Sequence, residues 1–368
     1  MKSYDESCEN TPSTSFRLDF DWFFAVTGLP LCIYCFVNPV ASDGASEHYN
    51  RRRQNLDFAW RERGMTLIRV KAPATTANLG PGYDCLGLAL DVWNTLEVEI
   101  LPGGDSVVEI SGEGVGELGT GRDNLVYRAM EFLFRDAGES MPALRINCDN
   151  KIPLARGMGS SAAAIAGGLV AANSLCSQEY TVSDLLEMAA TSEGHPDNVA
   201  AAVLGGMRLV IMDEGSRLYT VPVNVPPELH AVVFVPQVRI STEDARSVLP
   251  EKVAMLDAVH NMGRVGLLVA AMATNHPEYL AVATQDRIHQ PYRQPLFPAM
   301  KVIFQAALDA GAMGVFLSGS GSTVLALTKG REMTVAYEMA EAARQANVEG
   351  NVSVTQPTLL GAHLIEQG

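Results

Sequence analysis

Pro153-Leu-Ala-Arg-Gly-Met-Gly-Ser-Ser-Ala-Ala163 is the stretch whose reading decides the fold. Gly157 and Gly159 allow backbone conformations closed to other residues, and they let a bulky anion approach main-chain N–H groups. Ser160 and Ser161 open a run of mostly small residues to Ala172, so the loop amides and the positive end of a helix dipole should converge on one place. That place suits a phosphate. Both hydroxyls add donors, and one of them could ligate Mg²⁺ as the Ser/Thr of other nucleotide loops does. A Gly-rich turn that merely caps a buried helix fits the same composition, so residue types alone leave both readings open.

The run has neither the lysine of a Walker loop nor the third glycine of a dinucleotide-binding turn. It resembles the Pro-x-x-x-Gly-Leu-Gly-Ser-Ser-Ala loop of the GHMP kinases, the small-molecule kinases named for galactose, homoserine, mevalonate and phosphomevalonate. Met158 stands where that family has leucine, a volume-conserving apolar swap. The resemblance implies that Pro153, Leu154, Ala155, Arg156, Gly157, Met158, Gly159, Ser160, Ser161, Ala162 and Ala163 hold the nucleotide, with Ser161 on the metal.

A chain of 368 residues is long enough for two domains with substantial cores. Charged residues at 19% and hydrophobic residues at 47% fit an ordinary soluble globular protein. The formal net charge of −15 argues against nucleic acid as the main partner, because a binder of phosphate backbones carries a basic face. It says little against ATP, whose site uses local amides and metal. Cys8, Cys32, Cys35, Cys85, Cys148 and Cys176 form no framework, which suggests reduced thiols in the cytoplasm; Cys32-x-x-Cys35 alone is a weak metal or redox signal.

Residues 1–64 read as an extension, disordered or outside the true start. Trp22 to Ala41 is apolar and as long as a membrane span, but Pro30, Asn38 and Pro39 interrupt it, which argues against an anchor. Glu47 to Gly64, with Arg51-Arg52-Arg53, reads as a solvated linker. The family resemblance begins at Met65.

Beyond it, Leu67 to Lys71 alternates as a strand and leads into a structured loop, Ala72-Pro-Ala-Thr-Thr-Ala-Asn-Leu-Gly-Pro-Gly-Tyr-Asp-Cys-Leu-Gly87. Asn78 and Asp84 can each grip an amine or hydroxyl there, or simply bond their own turns. Leu88 to Ile100 reads as a strand pairing with Val107 to Ile110, and Asp123-Asn124 as the cap of an amphipathic helix through Phe134. Leu144 to Ile152 is a strand feeding the glycine loop, and Thr181 to Thr191 a helix. In Ser192-Glu-Gly-His-Pro-Asp-Asn-Val-Ala-Ala201, Glu193 needs a cation or donors to offset burial among apolar residues. Pro196 suggests a rigid turn and a structural role for His195. The prolines from Pro222 to Pro227 mark the domain boundary. Val253 to Thr274 is an apolar-striped helix with Met262 and Met272 as core filler, and Gly311 to Leu327 is strand, glycine turn, strand.

These stretches resemble the homoserine-kinase branch of the GHMP kinases. By that resemblance Asn78, Asp84, Asp197, Arg246, Arg293 and Gly319 contact the substrate, with Arg246 forking its carboxylate. Asn124 lies beside the adenine, and Glu193 shares the metal with Ser161. Asn198 stands where mevalonate kinases and galactokinases have an aspartate able to take a proton. Asparagine cannot, so Glu193, Asn198 and Ser161 would act by positioning and charge stabilisation. Ser322 replaces a family proline in Ser318-Gly-Ser-Gly-Ser322.

The implied fold is α+β in two halves, a ribosomal-protein-like N-terminal half over 65–224 and a ferredoxin-like C-terminal half over 225–368, with ATP in the cleft between them. The implied reaction is ATP- and Mg²⁺-dependent phosphorylation of the homoserine hydroxyl in threonine biosynthesis, in the cytoplasm, by a possible homodimer. A GHMP kinase acting on another small alcohol, or a non-catalytic nucleotide-binding module, keeps the same fold.

Overall fold

The structure, a computed structural model, describes residues 67–367. The readings made of Cys8, Cys32, Cys35, the Trp22–Ala41 stretch, the basic linker and Met65 lie outside the described residues.

Strands β1 (Leu67–Asn78) and β2 (Gly82–Ile100) form one long antiparallel hairpin, in register from Leu67↔Glu99 to Asn78↔Gly82. The expected loop over residues 72–87 is therefore mostly strand, turning only at residues 79–81. Alternation fails there because both faces are covered: Ala72, Ala74, Ala77, Leu86 and Leu88 are fully buried. Strand β3 (Val107–Gly112) does not pair with β2 as expected. It runs parallel to β4 (Leu144–Asn150), which sits between them.

Helix α1 (Leu125–Asp136) is amphipathic, buries Met130, Leu133 and Phe134, and is capped by Asn124, whose side chain accepts from Val126 N. Helix α2 (Ser160–Leu175) is apolar on all sides and buried accordingly, packed against α1 and β1. Helix α3 (Val182–Glu193) starts from a Thr181–Asp184 capping box and stops at Gly194, whose φ is 85°. The expected rigid turn at Pro196 is instead the first residue of helix α4 (Pro196–Leu204), where a missing N–H costs nothing.

Strands β5 (Met207–Met212) and β6 (Leu218–Val223) extend β2, and β11 (His363–Gln367) pairs with β1. The first sheet thus has seven strands in the path β11-β1-β2-β4-β3, with β5 and β6 off β2. Among the described residues, the last strand closes the sheet that β1 opens.

The second sheet, β10-β7-β9-β8, is antiparallel and built from β7 (His230–Pro236), β8 (Gly314–Leu317), β9 (Val324–Thr328) and β10 (Gly350–Thr355). Helix α5 (Thr242–Ser247) follows β7, and α6 (Met255–Ala273) lies beyond it. Two single turns, α7 (Leu280–Ala283) and α8 (Gln290–Arg293), precede α9 (Met300–Asp309), and α10 (Glu332–Gln345) crosses to β10.

Period-two side chains divide this sheet between two cores. Ala231, Val233, Leu325 and Leu327 pack toward the first sheet and α6, while Val232, Phe234, Val324 and Ala326 pack on α9 and α10 through Ile303, Ala307, Val335 and Met339. Met272 is buried as expected, but Met262 is 64% exposed and fills no core.

Candidate active site

A cleft of about 530 Å³ opens where three glycine-bearing turns meet. The end of β1 bonds the Pro153–Ser161 loop through Thr75 N to Met158 O at 3.1 Å, and Gly319 N reaches Ala77 O at 3.1 Å. Ser318 Oγ donates to Gly157 O at 2.6 Å, and Asn78 Nδ2 donates to Gly319 O at 2.9 Å. Gly157 and Gly159 have φ of 76° and 67°, and a Cβ would lie 2.0 Å from Ser318 O at the first and 1.8 Å from Thr75 Oγ1 at the second. Only glycine lets the turns close this tightly. Gly159 is also the N-cap of α2, where no side chain caps and no acidic residue stands in the first turn. The first amides of a buried helix are left to face the cleft.

Beside that helix end, Ser161 Oγ donates to Glu193 Oε1 at 2.5 Å. The Glu193 side chain is only 11% exposed, at the last residue of α3. His195 follows, its Nδ1 3.1 Å from Asp197 Oδ1 and its Nε2 4.0 Å from Glu193 Oε1. Burial opposes a charge on this imidazole, but the bond to Asp197 and the two carboxylates outweigh it and raise its pKa above the ordinary histidine value. In the first turn of α4, Asn198 Oδ1 accepts from Thr75 Oγ1 at 2.8 Å, and Asn198 Nδ2 donates to Asp197 Oδ1 at 3.3 Å. Both ends of the amide are fixed.

Across the cleft, Arg246 on α5 forks Asp84, with Nη2 to Oδ1 at 2.9 Å and Nη1 to Oδ2 at 3.0 Å, and donates to Tyr83 Oη at 2.8 Å. Arg293 at the end of α8 is 2% exposed and donates to Ala245 O at 3.1 Å and Gly319 O at 2.9 Å. Its Nη1 also meets His289 Nδ1 at 3.1 Å. Because His289 Nε2 lies 2.6 Å from Gly80 O, that nitrogen carries the proton and Nδ1 accepts from the guanidinium. His289 is fully buried, which pulls its pKa down to about 4, and Arg293 adds to the shift while Asp286 opposes it. Both guanidiniums lie over the Tyr83 ring, with Arg246 Cζ 5.6 Å and Arg293 Cζ 5.5 Å from its centroid.

The chain matches the models of the GHMP kinases N terminal domain over residues 124–206 and the GHMP kinases C terminal domain over 255–347. Among curated proteins, the homoserine kinase of Moorella thermoacetica is 43% identical over 301 residues, covering 82% of this chain and all of the relative. The chain belongs to the homoserine kinases of the GHMP family. A second relative, the homoserine kinase of a Synechocystis species, is 42% identical over 77% of this GHMP kinase and 94% of its own length. The solved homoserine kinase of Cytophaga hutchinsonii superposes with a TM-score of 0.74 at 32% identity, over 82% of this chain and 98% of that one. An L. major mevalonate kinase, at 14% identity and a TM-score of 0.59 over 80% of this chain and 96% of that one, shares the fold alone.

Of the residues singled out from the sequence of this GHMP kinase, the cleft is lined by Asn78, Asp84, Asn124, Pro153, Leu154, Ala155, Gly157, Met158, Gly159, Ser160, Ser161, Glu193, Asp197, Asn198, Arg246, Arg293 and Gly319. Three others fall outside the lining. Ala162 and Ala163 are buried in the cores on either side of α2, and Arg156 turns away to bond Pro236 O at 2.8 Å. Asn124 lines the cleft with its amide already engaged, accepting from Val126 N and donating to Gly119 O at 2.8 Å. His195, read as structural, also lines it.

Thr75, Tyr83 and His289 were missed. Thr75 and Tyr83 lie inside a stretch read as loop, where nothing distinguishes a side chain aimed at the site. His289 does leave a signal, being one helical turn before Arg293.

Proposed function

We propose that this chain transfers the terminal phosphoryl group of ATP to the side-chain hydroxyl of L-homoserine, giving O-phospho-L-homoserine, in the cytoplasm. The observation that carries the choice of acceptor is the Asp84–Arg246 pair on one wall of the cleft. A zwitterionic amino acid meets there a carboxylate for its ammonium and a guanidinium for its carboxylate, while a sugar has use for neither. Arg293, over the same Tyr83 ring and bonded to Gly319 O, strengthens the positive side. The ATP phosphates go to the amides of Gly157–Ser161 at the start of α2, which carry no competing cap.

The donor set around Ser161 and Glu193 fits Mg²⁺. Both offer hard oxygen atoms, and among the described residues no group of three or more His, Cys, Asp or Glu side chains could cage a metal by itself. That is what Mg²⁺ needs when phosphate and water supply most of its ligands. Bound there, it would neutralise charge developing on the transferred phosphoryl group. Asn198, fixed by Thr75 and Asp197, orients the acceptor hydroxyl, and no side chain is assigned as base: the proton leaves to the phosphate or to water.

Two measurements test the reading. ATP consumption with a panel of amino alcohols and sugars should be highest with homoserine; equal use of an uncharged diol would remove the zwitterion argument. Glu193→Gln should keep the fold and lower turnover by several kcal/mol of lost charge stabilisation. Turnover unchanged over a range of Mg²⁺ concentrations would remove Glu193 from the metal site.

A further inference from the structure

Three guanidiniums line the cleft. Arg246 and Arg293 lie over Tyr83 at the acceptor end. The third, Arg239, stands between β7 and α5 and forks Glu117, between β3 and α1, with Nη2 to Oε1 at 2.9 Å and Nη1 to Oε2. The two side chains are 45% and 48% exposed, so the pair bridges the cleft at its mouth.

The backbone that carries Arg239 is pinned to the glycine loop. Ile240 N donates to Ala155 O at 3.3 Å, Arg156 Nε donates to Pro236 O at 2.8 Å, and Ser322 Oγ donates to Val238 O. Arg239 is thus fixed beside the start of the loop whose amides face the cleft, while its long side chain stays half in solvent.

Charge makes that placement significant. Glu117, Asp123, Glu193 and Asp197 all line the cleft, and the Pro153–Ser161 loop holds no lysine. An entering triphosphate meets carboxylates, and among the described residues that line the cleft Arg239 is the cation tied to the loop. Its present bond is weak, since a half-exposed ion pair shifts an equilibrium by about fivefold at most. A phosphate offers the same planar fork a partner of higher charge.

We propose that Arg239 is a nucleotide-contacting residue: when ATP enters, its guanidinium leaves Glu117 and forks the phosphates that are not transferred, so that Glu117 and ATP compete for it. The loop begins beside Arg239 and ends at Ser161 beside Glu193, which sets Arg239 away from the reacting end. This rests on the kinase reading above and adds to it a contact that depends on phosphate.

Calorimetric titration of the full chain with Mg·ATP needs no acceptor, so its outcome does not depend on which alcohol is phosphorylated. Arg239→Gln should weaken ATP binding on the order of tenfold, after allowance for solvent screening, and leave turnover at saturating ATP unchanged. Glu117→Gln should act in the opposite direction and tighten binding by about two- to fivefold. In the double variant that gain should vanish, because no guanidinium remains to be released. Adenosine, which carries no phosphate, should bind wild type and Arg239→Gln equally.

Weaker ATP binding in both single variants would overturn the proposal, since that is what an ion pair that merely ties two segments together predicts. So would a Glu117→Gln gain kept in full without Arg239, which is the removal of a repelling charge, or adenosine weakened as much as ATP. A wild type that binds ATP normally but uses no homoserine fails the choice of acceptor alone.

Discussion

Arg246 and Arg293 stack on one tyrosine but are held differently, and that decides which substitution reports on the carboxylate. Arg293 is spent on two carbonyls and an imidazole. Arg246 is 38% exposed at its side chain and bonded to Asp84 and Tyr83. A carboxylate contact persists from ground state to transition state, so Arg246→Leu should raise KM for homoserine with little change in kcat. Solvent screening at this exposure limits the loss to about 1–3 kcal/mol. 3-Aminopropanol, which lacks the carboxylate, should be used about equally by mutant and wild type. If the mutant discriminates against it as strongly as wild type does, Arg293 reads the carboxylate instead.

His289 carries a different signature. In the unfolded chain its imidazole takes up a proton near 6.5, but in the fold only near 4, so falling pH through that window favours unfolding. The stability this contributes is full above the window and lost as pH drops toward its lower edge. His289→Gln, which cannot titrate, should show a flatter denaturant midpoint against pH across it. An equal slope would mean that the imidazole is not held neutral.

At the scale of elements, what the sequence disclosed followed from periodicity and caps. Asn124 and Thr181 cap the helices they were expected to start, and Leu144 lies on a strand where an apolar run predicted it, as do Gly314–Leu317 and Val324–Thr328 about their glycine turn. Elements went unread where burial on both sides erased the pattern, as in the first hairpin, or where proline was taken for a turn, as at α4. The parallel pairing of β3 with β4 had no local mark, because register between distant strands is a tertiary choice.

The glycine loop gives the sharpest test at this scale. Gly157→Ala puts a methyl group against Ser318 O at a positive φ, so the loop and the Ser318 turn must separate. The expected cost is about 1–3 kcal/mol in denaturant unfolding, with a raised KM for ATP. Wild-type behaviour in both assays would show that the turns need not meet this closely.

Over the whole molecule, the two-sheet architecture was legible only through the family resemblance, since no spacing states which strands share a sheet. The proposed division at 224 and 225 follows the passage from β6 to β7, and β11 crosses back over it. Its pairing with β1 is reinforced by Arg69, which reaches Glu97 on β2 at 2.5 Å and also bonds Glu366, and by Ala362 N to Ala202 O at 2.7 Å on α4. A chain ending at Gly361 keeps every residue assigned to ATP and homoserine. It should nevertheless lose cooperative unfolding and aggregate, because β1 becomes a bare edge. A soluble, ATP-binding product of that length would show the closing strand to be dispensable.

The same closure sets a timetable. Synthesis delivers β1 well before β11, so on the ribosome the nucleotide-binding half waits with an open flank while the second sheet is made. Its assembly is gated by the emergence of β11 and not by that of the residues that bind the nucleotide. A stalled or prematurely terminated chain would therefore present the glycine loop without the sheet that steadies it, leaving β1 exposed to the quality-control machinery of the cell.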